Sequence, residues 1–388
     1  MASLEKTKLH LGYIPLLDCA AILWADRQGY FQQAGLEVSL EREASWASLR
    51  DRLAYGFLDA AHCLSALLPA AAIAEDQPGI PLQTPLVLSV NRAFISLSQK
   101  LCFDLGISAQ DSEQQAAEKV VKAIQNQHPL QLASVFQQSI HYFCLKEWLA
   151  MADEATARNI QMSIIPPPYM VEAMKSQVID GFCVGEPWNA RAINDRIGFT
   201  AATSQSVWAD HPEKILGTRR DWVEKNPHTA RALVSAVLDA ARWIDASPEN
   251  KRETAQLLSR RAWLNTKEQY LTGRMLGEYD NGIGQRWQDA HPIRFFNDGA
   301  VSYPYHSDGM WFLTQFRRWG LLKTAPDYAA IAQRINQTSV WQDAATAVGG
   351  ITAPSSPYRS STLMDGTVWS GTDPEGYANR FAIHRKGA

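Results

Sequence analysis

Five cysteines in 388 residues, an odd number, are too few and too widely spaced for a disulfide framework. Cys19, Cys63, Cys102, Cys144 and Cys183 form no CxxC pair, which argues against a zinc site; they read as small buried hydrophobes. No apolar run approaches the roughly 20 residues needed to cross a bilayer. The opening MASLEKTKLHLGYIP has neither the apolar stretch nor the small-residue cleavage site of a leader, so a cytoplasmic location is expected. Charge of one sign is also scarce. A formal net charge of −3 leaves no large electropositive face, which argues against direct nucleic-acid binding. Phosphate-cradling glycine motifs of the GxGxxG and GxxxxGK[ST] kinds are absent, as are GxSxG and HExxH, and no internal repeat is visible.

What is present is alternation of strand and helix patterns. KLHLGY (8–13) alternates apolar and polar residues and reads as a strand. Asp18 then stands as the expected N-cap of a helix with an apolar face of Ile22, Leu23 and Tyr30. GLEVSLERE (35–43) is a second strand. Ser45 caps a helix whose apolar positions are Trp46, Leu49, Leu53 and Phe57. LDAAHC (58–63) suits a short buried strand, and LSALLPAAAIAE (64–75) a helix bent at Pro69. The order β-α-β-α-β-α favours a mostly parallel sheet covered by helices.

A second α/β block follows. Helices are expected at 113–127 and at 140–152 with Ser139 as cap, and strands at 130–136, at 160–168 and at 179–185. The strand at 160–168 is stopped by Pro166, Pro167 and Pro168. Pro187 suits the first turn of the next helix. Residues 228–244 form a strong helix pattern, and 349–376 reads as loop.

In open α/β sheets ligands sit outside the carboxyl ends of strands. Trp46, His141, the proline run and Glu186 all fall at such ends. Helix starts there offer free N–H groups and a positive dipole end, which suits a small anion. Trp46 can donate one hydrogen bond while its ring shields the site, and Lys214 can add a full positive charge. Singly, each has a plain structural reading: a core aromatic, a helix-end histidine, a solvated lysine. Histidines 62, 141 and 211 are not at metal-ligand spacing. Glu186 has no paired carboxylate or nucleophile, so proton chemistry is not its expected role.

Several stretches together carry a resemblance: LGYIPLLDCAAILWADRQGYF, SWASLRDRLAYGFLDAAH, IIPPPYMVEAMKSQVIDGFCVGEPWNA, HPEKILGTRRDWVEKNP and SYPYHSDGMWFLTQFRRWG, with DGTVW and DPEGYANRFAIHR near the end. From about residue 8 onward the chain resembles the nitrate- and bicarbonate-binding proteins of the NrtA/CmpA type. The resemblance implies a two-lobed type II periplasmic-binding-protein fold with the ligand between lobes. Expected boundaries are 1–103 for the first part of lobe 1, 104–204 for lobe 2, 205–290 for a return to lobe 1, and 291–388 for a segment wrapping lobe 1. The resemblance places Trp46, His141, Pro167 or Pro168, and Lys214 at the anion site. It implies that Glu186 orients a donor such as His141 or Lys214, or binds across the lobes. Two positions depart from the family pattern: Asn91, Arg92 and Ala93 stand where it has a glutamine, and Gln138 and Ser139 where it has two glycines. The bicarbonate-binding relatives carry an acidic residue at the place of Lys214 and use calcium, so the lysine points to nitrate or nitrite with no metal or other cofactor. With the expected cytoplasmic location, the chain is closest in kind to nitrate/nitrite sensors of the NasS type. The implied partner is then an RNA-binding antiterminator with an ANTAR domain, held in the absence of ligand. The alternatives are a nitrate-binding component of an ABC transporter and, from another class, an enzyme of thiamine-pyrimidine synthesis. Of the cysteine-rich motif of that enzyme only Cys183 is matched.

Overall fold

The computed structural model describes residues 3–73 and 79–381. Two five-stranded sheets organise the chain. The first holds β1 (Lys8–Tyr13), β2 (Glu37–Arg42), β3 (Ala60–Leu64), β4 (Leu82–Val90) and β10 (Pro212–Arg219), in the order β2-β1-β3-β10-β4. The second holds β5 (Ala93–Ser98), β6 (Leu132–Ser134), β7 (Met162–Ile164), β8 (Gly181–Gly185) and β9 (Gly198–Thr203), in the order β7-β6-β8-β5-β9. Each sheet has a parallel half, β2-β1-β3 and β7-β6-β8, and an antiparallel half. This differs from the mostly parallel sheet expected. The reversed strands are those beside the two crossings of the chain between sheets, and a direct crossing brings a strand in against its neighbours.

The outward crossing is Asn91–Arg92, between β4 and β5; the return runs from β9 to β10 through 204–211. Since β5 pairs with β8 and β9, the second unit begins at Ala93 by strand pairing, earlier than the expected 104. The C-terminal segment also differs from expectation, because it braces both units. Trp341 donates to Ser302 Oγ, next to the bond from Val87 of β4 to Ser302. Trp311 and Phe316 instead pack on Phe143 of the second unit, and Arg318 pairs with Glu147 at 2.6 Å and Glu154 at 2.7 Å.

Helix starts follow their capping residues. Ser45 Oγ accepts from Ser48 N and opens α2 (Trp46–Ala54). Ser139 Oγ accepts from Tyr142 N and opens α4 (Ile140–Ala150). A full capping box at Ser112 and Gln115 opens α3 (Glu113–Gln125). Asp18, however, caps nothing: it lies in a 3-10 turn, Leu17–Cys19, ahead of α1 (Ala20–Arg27). Gly29, at φ 77°, separates α1 from Tyr30. Phe57 lies beyond the end of α2 and is exposed rather than on its buried face. The strand expected over 160–168 shrinks to Met162–Ile164. Ala74 and Glu75 of the expected helix 64–75, and the IHR part of the C-terminal motif, from Ala382 on, lie outside the described residues.

Candidate functional site

The carboxyl ends of the parallel strands of both sheets point into one place. From the first sheet come the turn after β1, with Asp18, and the start of α2, with Trp46. His62 of β3 and Lys214 of β10 complete that side, with Lys214 paired opposite Leu64. From the second sheet come Gly185 at the end of β8 and His141 in the first turn of α4, after β6.

A bulge in β10 is what makes the cluster possible. In a regular strand Glu213 and Lys214 would point to opposite faces. Here Pro212 pairs with Val90 and Lys214 with Ser89, so Glu213 is an extra residue against β4. Both side chains therefore reach the same centre, with Lys214 Nζ 2.6 Å from Glu213 Oε1 and 2.7 Å from Asp18 Oδ2. Around this triad His62 Nε2 lies 2.6 Å from Asp18 Oδ1, and His141 Nε2 lies 2.7 Å from Glu213 Oε1. The Trp46 ring covers the ammonium, with its centroid 5.6 Å from Lys214 Nζ. Lys214, Glu213, His62 and His141 are all 0 % exposed, so the cleft is closed over the site.

Burial acts against every charge here, and the pairing overrides it. It pushes the Asp18 carboxyl up, but Lys214 and His62 bring it below its ordinary value. Burial likewise works against ionised Glu213, yet His141 and Lys214 hold its carboxyl well below the usual carboxylate range. Lys214 is raised despite its burial by Asp18 and Glu213. Burial wins at His62, whose pKa is lowered, and at His211, which is pushed down to about 4.

Some buried polar atoms of the cluster have no hydrogen-bond partner among the described residues: Trp46 Nε1, His141 Nδ1 and Nε2, His211 Nδ1 and Glu213 Oε2. His141 Nε2 is within ion-pair distance of Glu213, but off the line of a hydrogen bond. Buried polar atoms are rarely left without partners, and their concentration around a lysine makes this cluster the candidate site.

Trp46, His141 and Lys214 are thus brought together from three distant parts of the sequence. Pro167 and Pro168 form a 3-10 turn after β7, at the same end of the second sheet, with Pro167 buried. Glu186 does not orient His141 or Lys214. Its carboxylate lies 2.7 Å from Arg274 Nε of α5 (Glu268–Leu276) and accepts from Ala190 N at 3.0 Å. Its contribution to closure is through the backbone: Leu17 N donates to Glu186 O at 2.9 Å, across the cleft. Arg274 lines a cavity of about 730 Å³ with Arg196, Tyr270, Tyr279, Glu278 and Asp280. None of the Asp18–Lys214 cluster lines that cavity, and its mixed charge selects no ligand sign.

The unexpected members are Asp18, His62, Glu213 and His211. The histidines are far apart in sequence, so spacing alone could not join them. Asp18 offered one signal, a charge inside the apolar run YIPLLDCAAIL. The two departures from the family pattern sit just outside the cluster. Asn91 Nδ2 donates to Asp210 at 2.8 Å, which ties the two crossings together, and Arg92 pairs with Asp289. Ser139 caps α4.

Residues 2–259 match the NMT1-like family. The chain is 34% identical over 390 residues to the nitrate/nitrite binding protein NrtA of Nostoc sp., covering 98% of this chain and 87% of that protein. It is 35% identical to the bicarbonate transport ATP-binding protein CmpC of Synechocystis, but spans only 56% of that protein's length. The solved structure of the periplasmic nitrate-binding protein NrtA from Synechocystis superposes with a TM-score of 0.91 at 32% identity, covering 98% of this chain and 100% of that one. The two lobes and the cleft between them are therefore those of a periplasmic-binding-protein fold. The chain belongs to the NMT1-like family and, within it, to the NrtA/CmpA group of anion-binding proteins.

Proposed function

We propose that this chain binds nitrate or nitrite in the closed cleft, without metal, and works as a binding protein rather than an enzyme. The observation that carries the reading is Lys214. Its ammonium lies between Asp18 and Glu213, beneath Trp46, with the free donor of Trp46 and the ring of His141 beside it. Relatives named for nitrate and for bicarbonate both match over nearly the whole chain, at 34% for NrtA, 35% for CmpC and 29% for CmpA, so family membership alone does not choose the anion. A lysine between two carboxylates supplies the positive charge that a bridging cation would otherwise bring.

Among the described residues, the pair that looks like a nucleophile and its base is Ser204 Oγ with His211 Nε2 at 2.8 Å. Ser204 Oγ also accepts from Ala93 N at 2.9 Å, and His211 Nδ1 is 3.7 Å from Glu213, beyond a hydrogen bond. Both residues are buried where the two crossings meet, and they read as a clasp of the hinge. Titration of the purified protein with nitrate, nitrite, bicarbonate and sulfate, followed by tryptophan fluorescence, tests the binding reading. Saturable responses to nitrate or nitrite are expected, and none to either would sink it.

Two readings of what receives the bound state follow. Delivery to an ABC permease is favoured by the names of the relatives, which describe nitrate binding and bicarbonate transport. The other reading is a cytoplasmic sensor that holds an ANTAR-domain antiterminator until the anion closes the lobes; the two-lobe cleft supplies the two-state element it needs. By linkage, nitrate must then weaken the partner by the same factor as the partner weakens nitrate. Gel filtration of the protein with a candidate antiterminator, with and without nitrate, separates the two. A complex that survives saturating nitrate, or never forms, removes the sensor reading and leaves delivery.

A further inference from the structure

The chain passes between the units a third time, at Gly277. α5, just before it, is built into the first unit, since Leu271 and Met275 share a core with Leu9 and Leu11. The hairpin just after it, Glu278–Asp280 with Arg286–Gln288, is built onto the second. Thr200 N of β9 donates to Asn281 O at 3.0 Å, and the Tyr279 ring packs on Phe94 of β5 with centroids 5.1 Å apart. Gly277 turns the chain in the left-handed region, at φ 78°. The cavity of about 730 Å³ lies at this seam, lined by Ala190 and Ile193 of the second unit's helix Trp188–Asn194 and by Tyr270 and Arg274 of α5. Its size is that of a small-molecule site.

Arg274 is the buried charge of this cavity. Its Nη2 donates to Asn189 Oδ1 at 2.8 Å, but Nε, beside Glu186, has no hydrogen-bond partner among the described residues. Glu186 Oε1 lacks one too, and burial holds that carboxyl above its ordinary value with Arg274 acting against it. Guanidinium donors not turned to Asn189 and Glu186 are left for a carboxylate in the cavity. Of the other charges, Arg286 Nε donates to Asp280 at 3.0 Å, and that pair cancels. Arg196 and Glu278 are exposed and have no ion pair among the described residues. The same cavity therefore presents cations at Arg274 and Arg196 and an unpaired carboxylate at Glu278. A simple anion would meet Glu278, and a simple cation would meet the arginines. A molecule carrying both charges finds a partner for each, and Tyr270 and Tyr279 offer ring surface to its carbon part.

We propose that this seam cavity is a second ligand site, for a small zwitterion of the α-amino-acid class, and that filling it tightens anion binding in the cleft. The carboxylate goes to Arg274 and Arg196, and the ammonium to Glu278. Two links join the cavity to the cluster. Arg274 Nε lies 2.7 Å from the Glu186 carboxylate, and Glu186 O accepts from Leu17 N across the cleft, next to Asp18. The cavity walls come from both units in their closed arrangement, so a ligand that bridges them favours that arrangement. The coupling rests on the anion-binding reading above; the site itself does not.

The test is calorimetric titration of the protein with each standard L-amino acid, first without nitrate, and with acetate and methylammonium as the two halves of the ligand. At least one amino acid is expected to bind, and neither half. Glu278→Gln and Arg196→Gln, both at exposed positions where folding is not at stake, are each expected to weaken that amino acid at least about tenfold. In its absence they leave the nitrate Kd unchanged. Nitrate titrated at saturating amino acid is expected to show a Kd lowered at least about fivefold. Binding by no amino acid overturns the site, and acetate binding as tightly overturns the zwitterion. An amino acid whose binding is lost in Lys214→Met but kept in Glu278→Gln sits in the cleft, which also overturns the site. An unchanged nitrate Kd at saturating amino acid overturns the coupling. A protein that binds neither nitrate nor nitrite sinks the anion reading and the coupling with it, while the titration without nitrate still decides the site.

Discussion

Replacing Lys214 with methionine keeps most of the side-chain volume and removes one charge. That charge lies 2.7 Å from Asp18 and 2.6 Å from Glu213. Two consequences separate. For the fold, breaking a buried ion pair by removing one partner costs about 3–5 kcal/mol, because the remaining charge stays buried. For binding, a cation about 4 Å from an anion contributes about 4 kcal/mol at an effective dielectric near 20. Part of this is returned as the site relaxes, so nitrate affinity is expected to fall at least about 100-fold, or about 2.8 kcal/mol. A second substitution tells the two apart. Asp18→Asn in the Lys214→Met background removes one of the stranded carboxylates and is expected to recover much of the lost stability, but little affinity. Urea unfolding and fluorescence titration of both variants supply the readouts. Native nitrate affinity in folded Lys214→Met, or recovery of affinity in the double variant, would refute the role given to the ammonium.

Trp46→Phe keeps the ring but loses the Nε1 donor, so nitrate affinity is expected to drop about tenfold with stability nearly unchanged, the worth of one ordinary hydrogen bond; an unchanged Kd would remove that donor from the site. Gly185 has little room for a side chain: a Cβ would come tightly against Asp18 Oδ2, at 3.1 Å, and into contact with Lys214 Nζ at 3.7 Å. Gly185→Val is therefore expected to hold the lobes apart, seen as a larger radius of gyration in solution scattering with nitrate, and a native radius would contradict the close approach. His211, at about 4 folded against 6.5 in the unfolded chain, binds its proton more weakly when folded, so its contribution to stability is complete above about pH 6.5 and is lost as pH falls toward 4. Between pH 6.5 and 5 this amounts to about 2 kcal/mol at 1.36 per unit, and His211→Asn should lose that much less than the native protein over the same range in urea unfolding.

Local signals in the sequence were enough for the elements that place the site. Ser45 and Ser139 cap the helices that carry Trp46 and His141, as a hydroxyl before an apolar periodic run predicts. The parallel halves of both sheets followed from strand–helix alternation. What lay beyond the sequence depends on contacts between distant segments. Asp18 has the local look of a helix cap and acquires its function only when β10 sets Lys214 against it, 196 residues later. Glu213 would have pointed away from Lys214 in any regular strand, and nothing in HPEK announces the bulge. Glu186 was legible as a buried carboxylate at a strand end. Its partner Arg274 comes from a helix packed outside the cleft, and this turns a candidate ligand-orienting residue into a strut.

The geometry also explains why closure can act as a switch. The first unit contributes both carboxylates, the lysine and the tryptophan; the second contributes His141, Gly185 and the carbonyl of Glu186. With the lobes apart, Asp18, Glu213 and Lys214 can be solvated. In the closed form these groups are buried, and His141 of the second unit lies against Glu213. A ligand can shift such an equilibrium only by its differential affinity for the two forms. Among the described residues at the centre, His141 and Glu213 form the close pair whose members come from opposite sides of the cleft. Whatever reads the bound state, a permease or a regulatory protein, would be reading whether that pair has formed.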